Sequence, residues 1–145
     1  MATITKFEDL KSWQLSRELC LLISEKLIND STVKDYELIN QINRSSGSVM
    51  DNIAEGFERN GNREFNQFLS IAKASCGEVR SQLYRAKDRS YLSEDEFQEL
   101  HDLTLEISKL IAGFMNYLKN SDFRGSKFSR EREKIELKTK NVELK

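Results

Sequence analysis

The sequence predicts an all-α protein, an antiparallel up-down-up-down four-helix bundle around one core. Three observations lead there. Apolar residues recur at helical spacing over four long stretches. The chain has no proline and six glycines, with 38% hydrophobic and 32% charged residues, a balance that suits long helices better than a sheet with many turns. The connections between the stretches are short, and short loops make neighbouring helices antiparallel. At 145 residues, a single domain can bury roughly two-thirds of the surface its unfolded chain exposes.

The first predicted helix covers residues 9–29, with Asp9 as N-cap and Leu15, Leu19, Leu22 and Ile23 as its apolar stripe, widened by Leu10, Trp13 and Leu27. The polar run 29–32 interrupts the pattern. The second helix, residues 35–58, places Leu38, Ile42, Val49, Ile53 and Phe57 at spacings of four and seven, and a serine at position 45 or 46 continues that seam. Ser45-Ser46-Gly47-Ser48 is poor helix on propensity, Gly47 alone costing up to about 1 kcal/mol against alanine. Packing must compensate, and small residues here are expected to admit a close neighbour. Asn60-Gly61-Asn62 marks a turn in which Gly61 takes a positive φ and Asn62 caps the third helix. That helix, residues 62–89, carries Phe65, Phe68, Leu69, Ala72, Cys76, Val79, Leu83 and Ala86 in a near-heptad repeat. The fourth, residues 93–120, opens on Ser93 with Glu96 three residues later, a capping box, and buries Phe97, Leu100, Leu103, Ile107, Leu110, Ile111, Phe114 and Leu118.

Residues 1–120 thus form the bundle. Residues 121–145 hold too few apolar groups for a second core and are expected to be a charged tail, flexible or helical against a partner. The bundle segment has 15 basic and 19 acidic side chains, the tail eight and five. No window nears the roughly 18 uninterrupted apolar residues of a membrane span, and the first residues lack the pattern of a secretory signal, so a cytoplasmic location is expected.

Several chemistries find no support. Cys20 and Cys76 lie in no C-x-x-C pair and are expected to be core thiols, and His101 comes after Gln98 rather than a Glu-x-x-His glutamate, so no metal or other cofactor is expected. There is no G-x-S-x-G elbow or phosphate loop, the run Gly56 to Gly61 reading as a helix end, and no catalytic residues are assigned.

The middle of the chain is more specific. The stretch QINRSSGSVMDNIAEGFER, residues 41–59, followed by EFNQFLSIAKAS, residues 64–75, resembles the signature of the four-helix bundle proteins encoded in 23S ribosomal RNA intervening sequences. FEDLKSW at 7–13 and EVRSQL at 78–83 resemble that family's other marks, and the likeness covers residues 6–118. The chain departs from the pattern at Val49-Met50-Asp51, where members often carry proline, and at Asn43, where a basic residue is usual. The resemblance implies a non-enzymatic scaffold that assembles with itself, commonly as a homo-pentamer, with RNA or DNA as a candidate partner. A related branch, the accessory variability determinant of diversity-generating retroelements, binds nucleic acid together with a reverse transcriptase. Its members tend to be strongly basic, whereas this chain has a pI near 6.0, so that role ranks second.

The residues also read on their own terms. Arg44, Ser48, Asn52 and Glu55 succeed one another at spacings of four and three, a polar stripe down the second helix. Arg59 and Glu64 flank the turn, and Glu78 and Gln82 lie a turn apart on the third helix. Two readings stand: a network with Glu78, Gln82 or a second subunit that fixes register, or a ligand or nucleic-acid site. Arg80, Arg85, Lys87 and Arg89 are the candidate nucleic-acid contacts, joined by tail cations from Arg124 to Lys134. These charges form either a basic belt multiplied by a ring or a solvated face with helical partners. Trp13 and Leu105 fall off their stripes and are expected to point outward as contact surface.

Overall fold

A computed structural model of the chain describes residues 5–120. Expectations for the tail, including its cations, lie outside the described residues. The elements are a 3-10 turn, Phe7–Asp9, then α1, Lys11–Ile23, which runs into one π-helical turn, Ser24–Ile28. Next come α2, Tyr36–Glu58, α3, Asn62–Asp88, and α4, Glu94–Lys119. Each helix packs on its neighbours in sequence, and α4 returns to α1, so α1 and α3 lie diagonally across the bundle. The direction of each helix is set by its contacts. Asp35, Gln41, Ser45 and Ser48 on the α2 side meet Arg89, Arg85, Gln82 and Ser75 on the α3 side in descending order, which makes the pair antiparallel.

Asp9 does not cap α1. It sits in the 3-10 turn, and α1 begins after Leu10, whose backbone is extended and which offers no side-chain cap. The turn exists because Phe7 folds back edge-on against Trp13, with centroids 5.2 Å apart, while Leu10 enters the core. Trp13 is therefore half-buried rather than directed outward; Leu105 is 44% exposed. Asp35 caps α2, its Oδ1 accepting from the Leu38 N–H at 3.2 Å. Between α2 and α3, Gly61 takes φ +100° at the position preceding the helix. Asn62 is the first helical residue, buried with its amide unpartnered among the described residues, and does not cap. At the far end of α3, Ser90 adopts φ +64°, and Tyr91 N–H reaches the Ala86 carbonyl while Ser90 N–H reaches that of Lys87, a Schellman ending built without glycine. Ser93 and Glu96 form the reciprocal capping box of α4, at 3.1 and 2.9 Å. Acidic residues fill the first turn of α4 and basic ones the last turn of α3, each matching the local helix dipole.

The core runs the length of the bundle through Leu19, Ile23, Ile42, Ile53, Leu69, Val79, Leu83, Leu100 and Ile107, all fully buried. Phe65 stands between Phe57 and Phe114, at 6.1 and 5.2 Å, and ties α2, α3 and α4 together near the 59–61 turn. Cys76 is buried and its Sγ donates to the Thr104 carbonyl at 3.2 Å, whereas Cys20 is only half-buried. Among the described residues no helix is long and apolar enough to cross a membrane.

Within the run 45–48 the close neighbour is met by Ser45 and Ser48, which bond to Gln82 and Ser75 of α3, rather than by Gly47, and Gly56 marks a further tight approach. A Cβ on Gly56 would stand 2.8 Å from the Phe68 Cβ and 2.9 Å from Phe65 Cδ1, while one on Gly47 would meet nothing within 4 Å. Gly47 faces open space, so its backbone freedom is a plain cost to α2. Opposite outcomes are expected from the same substitution: Gly47→Ala should raise stability by about 0.5–1 kcal/mol, and Gly56→Ala should lower it by about 1–3 kcal/mol through overpacking. Urea denaturation of the two variants would check this.

Candidate functional site

The residues singled out by the sequence meet along the junction of α2 and α3. Helical spacing brings Asp35, Gln41, Ser45, Ser48 and Asn52 to the side of α2 that faces α3, and the short turn at 59–61 holds α3 alongside. At one end Asp35 accepts from Arg89 Nη1 at 2.6 Å and from the Tyr91 hydroxyl at 3.2 Å. Next, Arg85 Nη2 donates to Gln41 Oε1 at 2.7 Å. Ser45 Oγ donates to Gln82 Oε1, both residues being buried. Ser48 and Ser75 share a hydroxyl–hydroxyl bond of 2.8 Å, and Asn52 Nδ2 donates back to the Ser48 carbonyl and hydroxyl at 2.8 and 3.0 Å. Glu55 and Arg59 then pair at 3.0 Å on the surface, with the guanidinium over the Phe68 ring at 5.2 Å.

The middle of this seam consists of neutral hydroxyls and amides satisfied by one another. Such groups bond with direction, so sliding α3 along α2 by one residue would strand several donors at once. The chemistry available is recognition and register. Among the described residues no three histidine, cysteine, aspartate or glutamate side chains group closely enough to hold a metal ion. Burial pushes the Cys76 thiol up to about 11, so it stays protonated at neutral pH.

The sequence-selected residues divide by place. Ser48, Asn52 and Gln82 are in the seam, Gln82 through Ser45 rather than through the stripe. Arg44, Glu64 and Glu78 are exposed and make no ion pair with a described residue. Of the four candidate nucleic-acid contacts, Arg85 and Arg89 turn toward α2 and bond there. Lys87 turns toward α4, pairing with Glu94 at 3.0 Å and lying 4.5 Å from the Phe97 ring centroid. Arg80 also turns toward α4, so the four do not form one patch. Sequence reasoning left out Asp35, Gln41 and Ser75 as partners. The usable signal was serine at core spacing: Ser45 lies between Ile42 and Val49, Ser75 between Ala72 and Val79.

With this geometry in place, the family is decided by its sequence model: the one described as 23S rRNA-intervening sequence protein matches residues 8–113. The chain belongs to that family. The matched span runs from the 3-10 turn through most of α4 and contains the whole polar seam of this 23S rRNA-intervening sequence protein. Among solved structures it is similar to a protein of unknown function from the S23 ribosomal protein family of Bacteroides thetaiotaomicron, at 22% identity and a TM-score of 0.66, over 72% of this chain and 95% of that one. That likeness supports the bundle fold. No curated protein matches the chain.

The Ser48–Ser75 bond is expected to show as a coupling of about 0.5–1.5 kcal/mol in a double-mutant cycle of Ser48→Ala and Ser75→Ala, read by chemical denaturation; additive losses would deny the rung. The Asp35 carboxyl is held below the usual carboxylate range by the Leu38 N–H and, further, by Arg89 and Tyr91. A depressed folded value gives stability that is present above the unfolded pKa and is lost as pH falls through the folded one. Stability is therefore expected to decline as pH drops below about 4, and Asp35→Asn to flatten that decline in denaturation curves measured across the acid range.

Proposed function

We propose that the chain is a non-catalytic scaffold that assembles with copies of itself, in a ring whose number the family resemblance puts at five. One observation carries this reading: beside a seam whose inner rungs are all satisfied, the outer face of α2–α3 presents Ile71, 49% exposed, together with Arg44, Glu64 and Glu78, which have no ion pair to a described residue. Apolar surface flanked by unpaired charges of both signs suits a protein contact. A closed ring needs two different patches on each subunit. Leu21, 60% exposed on α1, stands opposite the buried stripe of its helix, and α1 is the diagonal partner of α3. The two surfaces thus lie on different sides of the bundle, which supports head-to-tail contact between copies.

Association with RNA or DNA, or an accessory role beside a reverse transcriptase, is the weaker reading. Arg85, Lys87 and Arg89, three of the four cations that would form its belt, already bond to Gln41, Glu94 and Asp35.

The scaffold reading is tested by light scattering over a concentration series. The expected mass is several times the 16.9 kDa of one chain, and Ile71→Asp is expected to reduce it with the helical circular dichroism unchanged. A wild-type chain that stays at the mass of one copy at every concentration would sink the proposal.

A further inference from the structure

On the other side of α3, its junction with α4 leaves an open groove of about 630 Å³ on the outside of the bundle. Lys73 and Arg80 from α3 and Lys119 from α4 line it, with Ser70, Ser108 and Asn116 supplying hydroxyl and amide groups. No acidic side chain is among the lining residues, and none of the three cations has an ion pair with a described residue. Narrow residues, Ala74, Gly77 and Ala112, are among those that line it, together with Met115.

Arg80 is the sharpest feature. Its Nη1 is shielded from solvent and has no hydrogen-bond partner among the described residues. A buried charged N–H without an acceptor is costly, because the group has given up its water and received nothing in return. Acid partners hold Lys87 and Arg89 near the C-terminal end of the same helix, whereas Arg80 has no ion pair with a described residue. The Cys76 thiol records the same field: burial raises it, and Arg80 and Lys73 act on it as positive charges in the opposite sense.

The shape limits the occupant. The groove is open on one side, and its volume of about 630 Å³ is larger than a bare anion needs. Lys73 and Arg80 are two helical turns apart, about 10 Å along the axis, a span that long flexible side chains close around a group carrying more than one negative charge. Ala74, Ala112 and Met115 provide an apolar surface beside those charges, and a thioether adapts well to a flat ring.

We propose that the α3–α4 groove binds a phosphate-bearing small molecule of nucleotide size, its phosphates held by Lys73, Arg80 and Lys119 and its ring laid against Ala74, Ala112 and Met115. Calorimetric titration of the full chain at fixed ionic strength, with ADP and with inorganic pyrophosphate, tests this. ADP is expected to bind saturably at one site per chain, and pyrophosphate more weakly. Arg80→Gln and, separately, Lys73→Gln are each expected to weaken ADP binding at least ten-fold, while Lys34→Gln, an exposed lysine outside the groove, leaves it unchanged. Lys73 is exposed, so its variant tests the site even if the Arg80 variant misfolds. Absence of saturable binding by either probe overturns the proposal. So does ADP binding that survives both groove substitutions, or binding confined to single-stranded oligonucleotides. Equal affinity for pyrophosphate and ADP overturns the ring subsite.

Discussion

The antiparallel clasp of α2 on α3 is the constraint on which the rest of the bundle depends. Only residues 59–61 separate the two helices, so they cannot part at that end. Gly56 lets them close until Phe65 and Phe68 stand where any Cβ would clash. With one end pinned, each level of α2 faces one level of α3, and the rungs from Ser48 to Asp35 either meet together or fail together. Phe65 then carries the clasp into α4 through Phe114, and the Cys76–Thr104 bond repeats the link further along α3. α1 closes the ring of helices with less extensive contact than α2–α3 or α3–α4 make, and its first turn is held by the Phe7–Trp13 contact and by Gln14 bonding to the Glu8 carbonyl at 2.9 Å.

The seam between α2 and α3 is polar where a purely apolar junction would pack as well. Leucine against leucine tolerates small shifts of register, because dispersion has little direction. Serine against serine and serine against glutamine do not, since a displaced hydroxyl is left unpaired away from water. The seam therefore specifies alignment more than it adds stability. Among the described residues the ion pair that crosses it is at one end, Asp35 with Arg89, while Glu55 and Arg59 pair along α2 itself at the other, and water still reaches both. This avoids the desolvation cost of an ion pair set in the middle of the junction.

Much of the fold is legible in the sequence because helical period is a property of the chain itself. Four apolar stripes at spacings of three and four mark four helices, and the Ser93–Glu96 box can be read because both of its partners lie within one turn. The features that escape such reading depend on other elements. Asp9 looks like a cap until Phe7 is seen to need Trp13, which draws Asp9 into a 3-10 turn. Gly47 and Gly56 are the same letter on one helix, and only the position of α3 distinguishes open space from a tight crossing. Within the site, Ser48 and Asn52 can be placed on one stripe by counting. That Ser75 answers Ser48, or Gln41 answers Arg85, requires the relative height of two helices, which periodicity does not contain. Ser90 at positive φ gives no warning, because the usual signal for that ending is glycine.

Helix α3 shows why a net charge of −1 says little about any one surface. Its α2 side directs Arg89 at the Asp35 carboxylate, which largely offsets its field, and Arg85 at the neutral Gln41 amide oxygen, which fixes the guanidinium in place without neutralising its charge. Its α4 side places Arg80 and Lys73, with Lys119 from across the groove, among alanine, glycine, serine and asparagine, where none of the described lining residues is acidic. The potential outside a protein is governed by charges that lack local partners, and concave walls of low dielectric concentrate it. One helix therefore spans two electrostatic environments, set by whether the facing helix offers carboxylates and amides or only small residues. A chain whose acidic residues outnumber its basic ones can in this way keep a cationic groove, lined in part by the narrow residues Gly77, Ala74 and Ala112.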